Sequence, residues 1–188
     1  MYMDVNRLLG KPPSAHVLTE YISTLSAAIT PAPAPDIKSY PDVVYFNYPT
    51  LGVSFQFSPR NGYKPVTGLR REQLKDDDLQ LEAADIYNVL GVNASFAPYP
   101  CLPIELHLAG ATPVIEKDTT GKEFVAWLGE PSRKGGGTGP SSGSIHIWCE
   151  WSQQGIMVEF GGNDARGPQA WERGGNAVWR VVTVFAPK

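Results

Sequence analysis

The sequence predicts an α+β fold built from two tandem units, each a short helix or helix pair laid on a small antiparallel sheet. Three observations carry this expectation. One pattern occurs twice: "DVNRLLGKPPS" (4–14) corresponds to "KEFVAWLGEPS" (122–132), and "VVYFNYPTLGVSFQFSP" (43–59) to "IHIWCEWSQQGIMVEFGG" (145–162). The second pair alternates with the period of a strand, setting Val53, Phe55 and Phe57 on one face, and Ile156, Val158 and Phe160 on the other unit's equivalent. The first pair carries short helical stripes that would be unstable alone and need a sheet beneath them.

The elements follow in order. Asp4 is placed to cap a short helix bearing Val5, Leu8 and Leu9, closed by Gly10 and Pro12. Ser14 is placed to cap a second helix with Val17, Leu18, Tyr21, Ile22 and Leu25 on one side. A hairpin over 43–59 turns at Gly52, and a charged surface insertion occupies 60–82, including "LRREQLKDDDLQLE" (69–82). A closing strand is expected over 84–91 and a further strand over 103–110. In the second unit, Thr120 and Glu123 have capping-box spacing ahead of Phe124, Trp127 and Leu128, and Gly129 with Pro131 ends the helix. The hairpin at 145–162 turns at Gly155, and "NAVWRVVTVFA" (176–186), rich in β-branched and aromatic residues, closes the unit. The units divide the chain at 1–96 and 97–188, within one compact domain. Where the first unit has its second helix, the second has a glycine-rich segment. Whether the two sheets join edge to edge stays open at this level, although joining would remove exposed edges.

The bulk properties exclude several classes. There are 16 basic and 19 acidic residues, a formal charge of -3, without the clustered positive charge that nucleic acid or an anionic membrane requires. The 19 Gly and 17 Pro exceed the roughly 12% usual for globular chains, but they punctuate the sequence in clusters. Residues 1–11 show no basic region followed by an apolar run, and no window approaches a membrane span. Cys101 and Cys149 form no metal-like cluster and no close redox pair; reduced thiols in the cytoplasm are expected, with a pairing between them left open.

Candidate sites are few. Residues 134–139 lack the GKS or GKT ending of a phosphate loop, yet Arg133, Lys134, Gly135, Gly136 and Gly137 make a candidate anion loop of backbone amides and two cations. The plainer reading is a flexible connection in place of the missing helix. His107 shares a strand face with Glu105, and His146 shares one with Trp148 and Glu150. Brought together, these histidines and carboxylates would form a metal or acid–base cluster, but nothing in the spacing forces that, and solvated strand positions are expected. Cys149 points away from His146 in a strand and is no nucleophile–base pair with it. "KDDD" (75–78) lacks the glycine and terminal glutamate of a calcium loop. Alternation places at least one large ring of each hairpin on the outer face, among Tyr45, Phe46, Tyr48, Trp148 and Trp151. Trp171, in the polar stretch 163–175 beside Arg166 and Arg173, is the leading candidate for partner contact.

The matching stretches "LLGKPP" (8–13), "YFNYPTLGVSFQF" (45–57), "CLP" (101–103), "WLGEPSRKGGG" (127–137) and "IWCEW" (147–151) resemble a bacterial family of small uncharacterised proteins, some found near polymorphic toxin systems. The resemblance covers most of the chain apart from 60–82 and 161–176. The duplicated layout is also similar to the tandem α/β repeats of the β-lactamase inhibitory proteins and the related small outer-membrane assembly lipoprotein fold. Through "YFNYPTLGVSFQF" there is a weaker similarity to a eukaryotic family linked to autophagosome membranes. All three resemblances imply binding or scaffolding.

The sequence therefore leads to a non-catalytic protein that binds another protein through loops or a sheet face. No residue is assigned a catalytic, cofactor or metal role, and no nucleic acid or membrane insertion is expected. The alternative is an enzyme or small-anion binder using a pocket between the halves, around 133–137 and His146.

Overall fold

The protein is described by a computed structural model, in which residues 4–27, 33–89, 94–137 and 146–188 are the ones described. A 3-10 turn, Val5–Leu8, and helix α1 (His16–Leu25) precede strands β1 (Asp36–Ser39), β2 (Val44–Tyr48), β3 (Val53–Pro59) and β4 (Leu79–Tyr87). Two short strands follow, β5 (Ile104–Glu105) and β6 (Val114–Ile115), then helix α2 (Gly121–Leu128) and strands β7 (Arg133–Gly135), β8 (Trp148–Trp151) and β9 (Ile156–Phe160). A single turn, α3 (Ala170–Arg173), leads to the last strand, β10 (Trp179–Phe185).

Eight strands form one antiparallel sheet in the order β1-β2-β3-β4-β10-β9-β8-β7, so the two sets of strands join through β4 and β10. Strands β5 and β6 pair separately. Alternation sends Val44, Phe46, Tyr48, Val53, Phe55, Phe57, Ile156, Val158, Phe160, Val182 and Val184 to one face, where all are buried. That face is covered by helices: Tyr21 of α1 meets Phe55 edge-on at 6.1 Å, and Phe124 of α2 packs on Trp151 and Phe160. At roughly 25 cal/mol per Å² of apolar surface, this burial is what holds the short helices in place.

Local signals set the ends of these elements. Asp4 accepts a hydrogen bond from the Asn6 amide at 2.9 Å, and the Thr120–Glu123 capping box forms at the start of α2. Each hairpin turns on a left-handed glycine in a confined place. A Cβ on Gly52 (φ +60°) would strike the Ala97 carbonyl, and one on Gly155 (φ +70°) the Phe185 carbonyl.

Four expectations need correction. Helix α1 begins at His16 with Ala15 at its cap and no side-chain capping bond, so Ser14 does not cap it. The closing strand expected over 84–91 lies at Leu79–Tyr87, because Leu79 and Leu81 continue the buried alternation behind the acidic residues. A bulge follows: Gln56 pairs with Ala83 but Phe57 with Leu81, and Glu82 is left exposed. The rest of the charged insertion is anchored, with 3-10 turns at Arg71–Gln73 and Asp76–Asp78, Tyr63 and Leu74 against the core, and the Arg71 guanidinium 5.3 Å from the Phe46 ring. The strand expected over 103–110 shrinks to two residues, since Leu108 and Ala111 already close the turn to β6. No helix among the described residues is long and apolar enough to cross a membrane.

Candidate functional site

The opposite face of the sheet carries the side chains that alternation turns away from the helices. One row crosses all eight strands: Asp36, Asn47, Ser54, Asp85, Thr183, Met157, Glu150 and Arg133 stand opposite one another in register. Half-buried rings flank the row: Tyr45 on β2, Tyr87 on β4, Phe185 on β10 and Trp148 on β8. Phe96 stacks on Tyr87 with ring centres 4.0 Å apart and planes 7° from parallel. Thus Tyr45 and Trp148 are the outward rings of the two hairpins, while Phe46, Tyr48 and Trp151 are buried.

A cleft of about 640 Å³ opens at one end of this face, lined by Asn88, Lys117, His146, Arg166, Asn176 and Arg180 among others. It exists because β10 is bulged: Trp179 pairs with Phe160 and Val181 with Glu159, which leaves Arg180 between them. The bulge turns Trp179 into the core and Arg180 outward over Gly161. Arg180 Nη1 then donates to Glu159 Oε1 at 2.9 Å and lies 2.9 Å from His146 Nδ1. Arg166 Nε donates to His146 Nε2 at 2.7 Å. Both arginines can only donate, while a neutral imidazole has one lone-pair nitrogen, so His146 accepts from one of them at a time, and its Nδ1 also lies 3.4 Å from Glu159 Oε1. Burial, then the charges of Arg166 and Arg180, push the His146 pKa down to about 4.

This arrangement suits holding a charged group better than transferring protons. At neutral pH His146 is uncharged, and an arginine N–H faces each of its ring nitrogens. No hydroxyl or thiol side chain lines the cleft among the described residues. Nor do the described residues contain a group of three or more His, Cys, Asp or Glu fit to hold a metal ion. His107 lies exposed in the β5–β6 turn, its carbonyl accepting from Asn6, away from the sheet that carries His146. Glu150 is engaged by Ser152 at 2.6 Å and Arg133 at 3.5 Å.

The glycine-rich stretch falls beside the cleft, not in it. Arg133, Lys134 and Gly135 form the edge strand β7, whose extended backbone lacks the alternating curl of an anion nest. Their cations sit over rings instead, Arg133 at 6.0 Å from Trp148 and Lys134 at 5.5 Å from Trp171. Gly135 lets the Trp148 ring lie flat on β7, and Gly136 fits against the His146 carbonyl. Gly137 is buried beside Trp171, and residues 138–145 lie outside the described residues. Trp171 is 44% exposed on α3, and Arg173 is exposed next to it. Cys101 is an exposed free thiol and Cys149 a buried one, whose pKa burial raises to about 11.

Sequence reasoning singled out His146, Arg166 and Trp171 but missed Arg180, Glu159, Asp85 and Asn88. For Arg180 the available signal was interruption, as the one cation inside the apolar run of β10, whereas Asp85 occupies an ordinary outward position of β4 between buried Ala84 and Ile86. Comparison with protein families, characterised proteins and solved structures finds no match to this chain.

Proposed function

We propose that the chain is a non-catalytic binding protein that recognises another protein through the open face of its sheet and the loops at its end. The observation that carries this reading is the asymmetry of the sheet: helices cover one face, and the other presents half-buried Tyr45, Tyr87, Phe185, Trp148 and Met157. Aromatic, Met and Arg side chains on a rigid surface are the usual anchors of protein interfaces. Exposed Trp171, in the loop region before β10 with the Lys134 ammonium 5.5 Å from its ring, adds a second candidate anchor. The two-unit reading of the sequence and its resemblance to repeat proteins that act by binding point the same way. The sheet order, running outward from β4 and β10 to β1 and β7, supports assigning one unit to each half. Two unpaired thiols support a reducing compartment such as the cytoplasm.

A photo-cross-linking residue at Tyr45, Trp148 or Trp171, compared with Val125 on the outer side of α2, tests the reading in cells. Discrete adducts from Tyr45, Trp148 or the Trp171 loop and none from Val125 are expected. Adducts from Val125 alone, or from no position, would sink it.

A second reading, a small-anion site, is favoured by Arg166, Arg180 and Lys117 around the cleft. Calorimetric titration with inorganic phosphate should then show saturable binding that Arg166→Gln weakens. Heat indistinguishable from dilution would dismiss it.

A further inference from the structure

One carboxylate in the middle of the open face has no cation. Asp85 Oδ1 accepts from Thr183 Oγ1 at 2.7 Å, and Oδ2 accepts from Gln56 Nε2 at 2.9 Å. These two neutral donors fix the carboxylate plane and occupy one acceptor position on each oxygen, leaving capacity on both for a donor from outside. Three other carboxylates on this sheet are matched, Glu159 with Arg180, Glu150 with Arg133 and Asp36 with Lys38, whereas Glu82, left exposed at the bulge, forms no ion pair among the described residues. Among the described residues no Lys, Arg or His forms an ion pair with Asp85.

Its surroundings are built for something more than filling space. The nearest neighbours in register are small and neutral: Ser54 and Thr183 across the strands, and Ala83 two residues along. Rings stand around them, Tyr87 with Phe96 stacked behind it and Tyr45 from β2. Burial, and then the nearby charge of Asp85, raise the pKa of both tyrosine hydroxyls, and burial raises that of Asp85 itself. A carboxylate held here by neutral donors alone bears a desolvation cost that no cation on this face offsets. A cation placed over ring faces and against the carboxylate gains from both.

We propose that Asp85, framed by Tyr45 and by the Tyr87–Phe96 stack, receives a lysine or arginine side chain from a basic segment of a partner protein lying across the open face. The assignment rests on the open-face reading above and names the partner chemistry that reading leaves open.

The test is a titration of the isotopically labelled full chain, followed by amide chemical shifts at low ionic strength. The probes are three capped pentapeptides, Gly-Gly-X-Gly-Gly, with X as Arg, Lys or Gln. Saturable shifts centred on Tyr45, Ser54, Asp85 and Thr183 are expected with the Arg or Lys peptide, and none with Gln; comparing the two cationic peptides identifies the preferred head group. Asp85→Asn should weaken binding about tenfold or more, the loss of roughly 1.4 kcal/mol, and Tyr87→Leu should weaken it with the carboxylate intact. Glu82→Gln, an exposed carboxylate on the same strand, should leave it unchanged. Equal binding by Asp85→Asn, equal shifts with the Gln peptide, or shifts centred elsewhere would overturn the assignment. The cross-linking experiment separates the two ideas: an adduct at Trp148 that persists undiminished in Asp85→Asn keeps the open face and rejects Asp85, whereas no open-face adduct in either protein rejects the face itself.

Discussion

The two faces of the eight-stranded sheet come from the same strands, residue by residue, yet they obey different rules. On the helix side, Val53, Phe55, Phe57, Ile156, Val158 and Phe160 are buried, and Phe124 and Tyr21 close over them. On the other side, each polar or charged group is handled separately. Glu159 is neutralised by Arg180, His146 is kept uncharged by burial and then by two arginines, and Asp85 is held only by neutral donors. The contrast teaches that continuous apolar packing resides on one face, while the other carries polar groups matched one at a time or left unmatched. A fold that needs only one packed face is free to place unmatched groups on the second.

Substitutions can break this comparison, and the largest effects belong to the covered face. Phe55→Ala and Phe124→Ala should each destabilise by about 3–5 kcal/mol in urea unfolding, while Trp148→Ala on the open face should change stability by about 1 kcal/mol or less. Similar losses at all three positions would show that the open face is also load-sharing core. Next in size are the hairpin glycines, where Gly52→Ala and Gly155→Ala combine a left-handed backbone with a carbonyl clash. Each should cost at least about 1–3 kcal/mol by the same measurement. A clear inequality between them would locate which hairpin the sheet depends on more.

The charged groups sharpen the comparison through pH. His146 has an ordinary value of 6.5 when exposed in the unfolded chain and about 4 in the folded protein. The unfolded chain therefore binds the proton more readily between these values. This contribution to stability is complete above about pH 6.5 and is lost as the pH falls toward 4. Arg166→Gln should move the His146 titration upward in NMR, since it removes the second-ranked cause of the depression after burial. An unmoved titration would assign the shift to burial and Arg180. Asp85 has the opposite sign. Its folded pKa is raised, so its contribution is present at low pH and is lost as the pH rises through the folded value. Asp85→Asn should abolish that component while altering stability at neutral pH by only about 1 kcal/mol, because one of two neutral hydrogen bonds is exchanged for relief of a charge.

Much of the covered face was legible in the chain. Period-two alternation identified Val53, Phe55, Phe57, Ile156, Val158 and Phe160, because burying one face imposes that period directly on the sequence. The left-handed turns at Gly52 and Gly155 and the capping box at Thr120 were legible for a similar reason, as each depends on chemistry within a few residues. The extent of β4 was not, because Asp76, Asp77 and Asp78 stand directly ahead of Leu79 and resemble solvated turn. Within the candidate anion loop, Arg133–Gly135 did not announce itself as an edge strand because β7 has no alternation of its own. Its conformation comes from pairing with β8 and from the Trp148 ring lying on Gly135.

What the sequence determined by itself is thus local: the mixed helix and strand content, which hairpin residues face inward, and where the hairpins turn. The tertiary structure decided that β4 and β10 join the strands into one sheet, that a bulge at Arg180 builds a cleft with His146 and Arg166, and that Asp85 stands without a cation. These are long-range outcomes. Asp85 and Thr183 are 98 residues apart in the chain and meet only because two strands pair. Periodicity reports which face a residue takes; only the order and register of the strands decide which residues share it.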